Sequence, residues 1–227
     1  MQFIGAQPAV DLTYSDVFLV PRRSAVTSRL EVDLAPGDGT PATIPLVASN
    51  MNAVTGPRLA ATLARRGGLG VLPQDLSAEQ LVEAVRWVKR QPVACDSAIV
   101  LPPHATAADA LRRVPPVAGH GVVVASGSQS APARADIRGL LSAERLGHMP
   151  EDALLGDLVH GDPVFVELSQ LGPDRAAFDA VLEVESATGS ELLGVVDGDR
   201  FVGTITSRSA LRGTLYRPAV DTQGRLT

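Results

Sequence analysis

Ile44 to Ala48 is a short apolar run without alternation, the pattern of a strand covered on both faces in a parallel sheet. A helix is predicted next. Thr55 stands in the N-cap place, Pro57 in the first turn, Leu59, Ala60, Leu63 and Ala64 form an apolar stripe, and Gly67-Gly68 stops it. Leu69 to Leu72 reads as a second short strand. A second helix opens at Ser77, with Gln80 as its capping-box partner and Leu81, Ala84, Val85 and Val88 on one face. Strand, helix, strand, helix with short connections is the repeating unit of a parallel α/β fold, and right-handed crossovers put both helices on one side. Two such units are present. A closed eight-stranded barrel takes about 250 residues, so this sequence cannot complete one.

From about Asp96 the pattern changes to one that occurs twice. The first copy has a helix around Ala107 to Leu111, an apolar strand Gly121 to Ala125, and then Gly139-Leu140-Leu141-Ser142. The second has Ala177 to Val181, then Leu192 to Val196, then Gly203-Thr204-Ile205-Thr206. The hairpin of the second copy is tight at Asp197-Gly198-Asp199, whereas Ser126 to Ala135 of the first is long and rich in Ser, Ala and Pro. Two related copies are expected to bury their hydrophobic faces against each other.

Composition narrows the function classes. With 45% apolar and 20% charged residues and a formal charge of -5, the chain is an ordinary globular one with no nucleic-acid character. Its basic residues come as the pairs Arg22-Arg23, Arg65-Arg66, Lys89-Arg90 and Arg112-Arg113, which read as solvated helix ends and build no stripe for a phosphate backbone. The single cysteine, Cys95, has no nucleophile motif around it and reads as a small buried filler. Four isolated histidines lack metal-site spacing, so no metal is expected. No apolar run is long enough for a membrane span, and the start MQFIGAQPAV lacks the order of a secretory signal; the expectation is a cytoplasmic protein without membrane partners.

Three ordered stretches resemble the IMP dehydrogenase and GMP reductase family: Leu12 to Pro21, Ile44 to Thr55 and Gly67 to Leu72. The repeated part is similar to a pair of CBS motifs. The resemblance implies an α/β fold, an incomplete TIM (β/α)8 barrel portion with an inserted tandem CBS (Bateman) domain. Residues 1–94 would belong to the barrel, 95–214 to the insert, with copies of about 95–150 and 151–214, and 215–227 to the return into the barrel. The family binds its nucleotide at the C-terminal ends of barrel strands, which implies contacts to GMP or IMP from Ser49, Asn50 and Met51. Simple packing under the barrel mouth is the competing reading for Met51. The family's nucleophile is a cysteine in a downstream Gly/Ser-rich loop, a loop this sequence does not contain, so the chain alone is expected to be inactive.

Ser28-Arg29 resembles a reductase cofactor grip: a guanidinium beside a hydroxyl suits the 2′-phosphate of NADPH. Propensity alone reads the same pair as a surface turn before a strand. Asn50 also matches the reductases. Against that branch, familiar reductases lack the insert, and Pro73-Gln74 replaces the usual His-Lys, leaving Gln74 as an uncharged cofactor contact. The resemblance therefore favours an NADPH-dependent GMP reductase of purine salvage, with an NAD-dependent IMP dehydrogenase and a non-catalytic CBS sensor as the alternatives. CBS pairs hold adenine or guanine nucleotides through a hydroxyl and an acid three residues on. Here Ser142 and Thr206 supply the hydroxyls, but Arg145 and Ser209 replace the acids, leaving Arg145 and Arg208 to meet phosphates of ATP or GTP. A purely structural insert is the other reading. The family implies a homo-oligomer.

Overall fold

The computed structural model describes residues 9–10, 12–18, 20–127 and 132–227. Leu19 of the opening motif, and residues 128–131 of the first copy's long loop, lie outside them. The chain divides into one compact unit ending at Asp33 and another beginning at Leu34. The first holds two single 3-10 turns, Tyr14–Asp16 and Arg29–Glu31. Asp16 accepts from the Thr13 N–H at 2.9 Å and its hydroxyl at 2.7 Å, which holds its carboxyl below the usual range. No strand follows the Arg29–Glu31 turn; its acidic end is tied back by the Thr27 hydroxyl, which donates to Glu31 at 3.1 Å.

In the second unit, β1 (Val47–Ala48) pairs in parallel with β2 (Leu69–Gly70), and each is followed by a helix, α1 (Pro57–Arg65) and α2 (Ala78–Arg90). Both strands are shorter than the apolar runs that predict them. Pro45 and Pro73 lack the N–H a ladder needs, so they bound the pairing. The N-cap of α1 is Gly56 rather than Thr55. Thr55 is instead fully buried, its hydroxyl donating to the Ser49 carbonyl. Gly67, at φ +90°, turns the chain out of α1 as expected. Gly70 lets β2 lie directly on α1, since a Cβ there would stand 2.8 Å from Ala60.

Ser77 caps α2, accepting from the Gln80 N–H at 3.2 Å while Gln80 accepts from the Ser77 N–H at 2.9 Å. Its apolar face is only partly used: Val88 is buried, but Leu81 and Val85 are exposed. Two neighbours, α1 and the C-terminal segment, supply its packing, and Leu226 lies with Ala60, Ala64 and Val88 in one cluster. The Ala219 N–H donates to the Ala64 carbonyl at 2.7 Å, joining the C-terminal segment to α1.

Two three-stranded sheets lie between. The first comprises β3 (Val100–Leu101), β4 (Gly121–Ala125) and β5 (Ile137–Ser142), with α3 (Ala107–Leu111) and α4 (Ala143–Leu146). After α5 (Leu155–Leu158), the second comprises β6 (Phe165–Glu167), β7 (Leu193–Asp197) and β8 (Arg200–Ile205), with α6 (Arg175–Thr188) and α7 (Ser207–Leu215). In each sheet the first pair is parallel and the second antiparallel, with a register shift at Val124/Ala125 in one and Val195/Val196 in the other.

The leading strands β3 and β6 are too short to show as periodicity. Strand alternation divides the burial: Val122 and Val124 face the first sheet's own core, while Val123 and Ala125 meet Val196 and Phe201 across the copies. Glycines let each copy close on its lead-in segment. A Cβ on Gly139 would stand 2.4 Å from Val159, and one on Gly203 would stand 2.8 Å from the Cys95 sulfur. Cys95 is thus the repeat counterpart of Val159, a packing atom by position.

Candidate functional site

Asn50 and Gln74 follow the C-terminal ends of β1 and β2, and the parallel pairing brings them together. They line a shallow pocket of about 390 Å³ with Asn52 and Asp75. The β1 loop is held by its own backbone: the Met51 N–H donates to the Ser49 carbonyl at 2.8 Å, and Val54 and Thr55 donate back to the Met51 carbonyl. Asn52 donates from its side-chain amide to the Asp75 carboxylate, linking the two strand-end loops. Met51 is 56% exposed among the described residues.

Asn52 and Asp75 are the residues sequence reasoning missed. Each adjoins a predicted site residue, and their pairing across 23 positions is invisible along the chain.

Ser28 and Arg29 belong to the first unit. Arg29 opens its 3-10 turn with an exposed side chain, and among the described residues it makes no ion pair.

In the repeats, Ser142 and Thr206 occupy equivalent N-cap positions. Ser142 accepts from the Arg145 N–H at 3.3 Å, and Thr206 accepts from the Ser209 N–H at 3.1 Å. Ser209 reciprocates, accepting from the Thr206 N–H at 2.9 Å, which makes the second cap a closed box. The arginines are tied to carbonyls, Arg145 to Leu158 and Arg208 to Ala118, both at 3.3 Å.

Ser142 and Arg145 line an open polar cleft of about 560 Å³ with Glu144, His148, His160 and Asp162. Ser142 also lines an adjoining cleft of about 250 Å³ with Thr206 and Arg208, where Glu144, Glu185 and Glu191 offset the cation. Ser209 does not join them. It faces an apolar cavity of about 310 Å³ that Cys95 also lines.

Burial pushes the Cys95 thiol up to about 12, despite the opposing pull of Arg65. A thiol that stays protonated is no nucleophile at neutral pH. Arg65 itself departs from the solvated reading of the basic pairs. Its guanidinium donates to the Pro92 carbonyl at 2.8 Å and the Ser97 hydroxyl at 2.6 Å, and burial lowers its pKa. Among the described residues no helix is long and apolar enough to cross a membrane.

Residues 11–165 match the IMP dehydrogenase / GMP reductase domain. The GMP reductase of Mycobacterium tuberculosis (strain H37Rv) is 36% identical over 235 aligned residues, covering 100% of this chain and 45% of that protein. The inosine-5'-monophosphate dehydrogenase of Methanocaldococcus jannaschii is 30% identical over 94% of this chain and 42% of its own length. The chain thus spans less than half the length of these two relatives. Among solved structures, GMP reductase from Trypanosoma brucei in complex with guanosine 5'-triphosphate is similar with a TM-score of 0.52. It is 24% identical, over 95% of this chain and 51% of that one. A match over residues 11–165, on an α/β fold with parallel strand-end loops, places this chain in the IMP dehydrogenase / GMP reductase family.

Proposed function

We propose that this chain is the N-terminal portion of an NADPH-dependent GMP reductase, which converts GMP to IMP and ammonia in purine salvage. The observation that carries the reading is the meeting of Asn50 and Gln74 at the ends of neighbouring parallel strands, in a shallow pocket that the hydrogen-bonded Asn52 and Asp75 also line. Nucleotide sites of barrels lie at that end of the strands. Ser49, Asn50 and Met51 would hold the nucleotide. Ser28, Arg29 and Gln74 would hold NADPH; the exposed guanidinium of Arg29, which makes no ion pair among the described residues, suits the 2′-phosphate. When bound, the nicotinamide supplies the hydride exchanged with the purine C2 carbon.

Residues 1–94 and 215–227 form the barrel portion in this reading, and 95–214 a CBS pair that adjusts its activity. The open cleft between the copies would take ATP or GTP, with Ser142, Arg145, Thr206 and Arg208 nearest the phosphates. The parent enzyme is a cytoplasmic homo-oligomer. An NAD-dependent IMP dehydrogenase is the second reading, supported by the similarity to the M. jannaschii enzyme over most of the chain.

The test is cofactor preference. In the full-length enzyme, Arg29→Ala should weaken NADPH far more than NADH, and an unchanged ratio of the two affinities would exclude the cofactor assignment. The 227-residue chain itself should show no turnover, because its sole cysteine is buried and protonated. GMP-dependent loss of NADPH absorbance with this chain would overturn that. Calorimetric titration of the chain with ATP and GTP tests the open cleft, and Arg145→Ala should remove that heat.

A further inference from the structure

The copies meet at two clefts, the open one and a second of about 370 Å³ roofed by Arg58, Leu59, Thr62 and Arg66 of α1. The apolar cavity of about 310 Å³ is neither of them. Thr62 and Arg65 of α1 form one side of it, and Val93 to Asp96, the segment joining α2 to β3, forms another. Past that segment its repeat residues all come from the second copy, among them Leu171, Ile205 and Ala210. It therefore lies where the part holding β1, β2, α1 and α2 passes into the repeats.

Residue choice at the wall leaves this space open. Gly213 sits inside α7, where glycine costs about 1 kcal/mol relative to alanine. Neither it nor Gly172, which also lines the cavity, has a positive φ. A Cβ on Gly213 would meet no atom within 4 Å, and one on Gly172 only ordinary contacts at 4.0 Å. Close approach explains Gly70, Gly139 and Gly203, but it does not explain these two. Their missing side chains leave volume that a packed core would fill.

An apolar wall with a few polar groups is the make-up of a small-molecule pocket. Cys95 is 3% exposed, and its thiol makes no hydrogen bond among the described residues. Arg66 and Arg212, also in the wall, make no ion pair and no side-chain hydrogen bond among those residues, and Asp96 is the one carboxylate beside them. Arg65 differs, being held by the Pro92 carbonyl and the Ser97 hydroxyl. Two uncommitted guanidiniums against one acid favour an anionic group, and guanidiniums also lie well over aromatic faces. An apolar cavity of about 150 Å³ takes a single benzene ring, so about 310 Å³ admits two fused rings.

We propose that this cavity binds a bicyclic aromatic carboxylate, its rings against Cys95, Ile205 and the wall left bare at Gly172 and Gly213, its carboxylate on Arg66 and Arg212. Because the walls come from α1, the joining segment and the second copy, the bound ligand ties the repeats to α1. The site uses none of the residues proposed above to hold a nucleotide or NADPH, and it stands or falls apart from that reading.

The probe is 2-naphthoate, and the readout is alkylation of Cys95, the only cysteine of the chain. Iodoacetamide labelling of the 227-residue chain in mild alkali is followed by mass spectrometry. A ligand that covers the thiol slows labelling by one plus the ratio of its concentration to Kd, so by about tenfold at roughly ten times Kd. Arg66→Ala should weaken the protecting affinity on the order of tenfold, and the neutral 2-naphthamide should bind more weakly by a similar factor. Arg113→Ala, which alters the roofed cleft but not this cavity, should leave protection unchanged.

Gly213→Leu places a side chain in the cavity. It should melt at or above the wild type, because a helix interior prefers leucine and the space is vacant, and it should abolish protection by 2-naphthoate. Benzoate, with one ring fewer, should protect more weakly. No protection by 2-naphthoate at millimolar concentration, a lower melting temperature for Gly213→Leu, protection that survives Gly213→Leu, protection that is lost in Arg113→Ala, or equal protection by benzoate overturns the proposal.

Discussion

The two repeats share strand order, hairpin irregularity, glycine contact and hydroxyl cap, yet the clefts they build differ in cover and in charge. One is open and mixes Glu144, Asp162 and Glu191 with Arg145, His148 and His160. The other lies under α1 and gathers arginines around a single acid. The shared features are those that a fold requires, because they satisfy helix ends and let backbones approach. The differences fall on side chains that face the clefts, where packing does not dictate the residue type.

The sharpest way to break this comparison uses the equivalent positions of Cys95 and Val159. With its thiol pushed up to about 12 from 9.0, Cys95 should alkylate about a thousandfold more slowly than an ordinary thiol at neutral pH. Its rate should still be climbing at pH 10, because the thiolate fraction grows until the folded pKa is reached. Introducing Val159→Cys in a Cys95→Val background should give a faster-labelling site, since Val159 borders the open cleft. Mass spectrometry of iodoacetamide adducts measures both rates. Equal labelling would mean that the two lead-in segments are not inequivalently covered.

Next in size are the close-approach glycines. A Cβ on Gly203 would fall 2.4 Å from the Asp96 carbonyl oxygen, a backbone atom, whereas one on Gly139 meets the Val159 side chain. Gly203→Ala should cost up to about 3 kcal/mol and Gly139→Ala nearer about 1 kcal/mol, as read from denaturant melts. Adding Val159→Ala should return part of the Gly139→Ala loss. No truncation of Cys95 can do the same for Gly203, because the obstructing atom belongs to the main chain.

The smallest effect concerns the caps. Thr206→Ala opens a reciprocal box and should cost roughly 1 kcal/mol, while Ser142→Ala breaks a single longer bond and should cost about half as much. Equal losses in thermal melts would remove the asymmetry between the caps.

The repeat was legible because its signals are local: glycine before a short apolar strand, then a hydroxyl opening a helix. The end of α1 and the capping box of α2 were legible for the same reason. The parts that were not legible depend on distance along the chain. Arg65 reads as a helix-end charge until Pro92 and Ser97 come to meet it. Asn52 and Asp75 gain meaning only from the pairing of β1 with β2. Thr55 has the residue type of a cap, but Gly56 takes that place and leaves its hydroxyl to hold Ser49. The roofed cleft draws arginines from α1, from the segment after α3 and from α7, and no one-dimensional pattern collects them.

The C-terminal segment comes back to the place the chain left. Val93 and Val220 pack on the same small cluster, Thr43 bonds the Arg217 carbonyl, and Ala219 pairs with Ala64. A segment whose two ends meet can be shortened without displacing the strands that precede it. Joining the chain near Val93 directly to a position near Pro218 would close the gap with a short loop and leave β1, β2, α1 and α2 in place. In such a protein α1 would lose its roofing role, exposing Arg58 and Arg66 as ordinary surface charges.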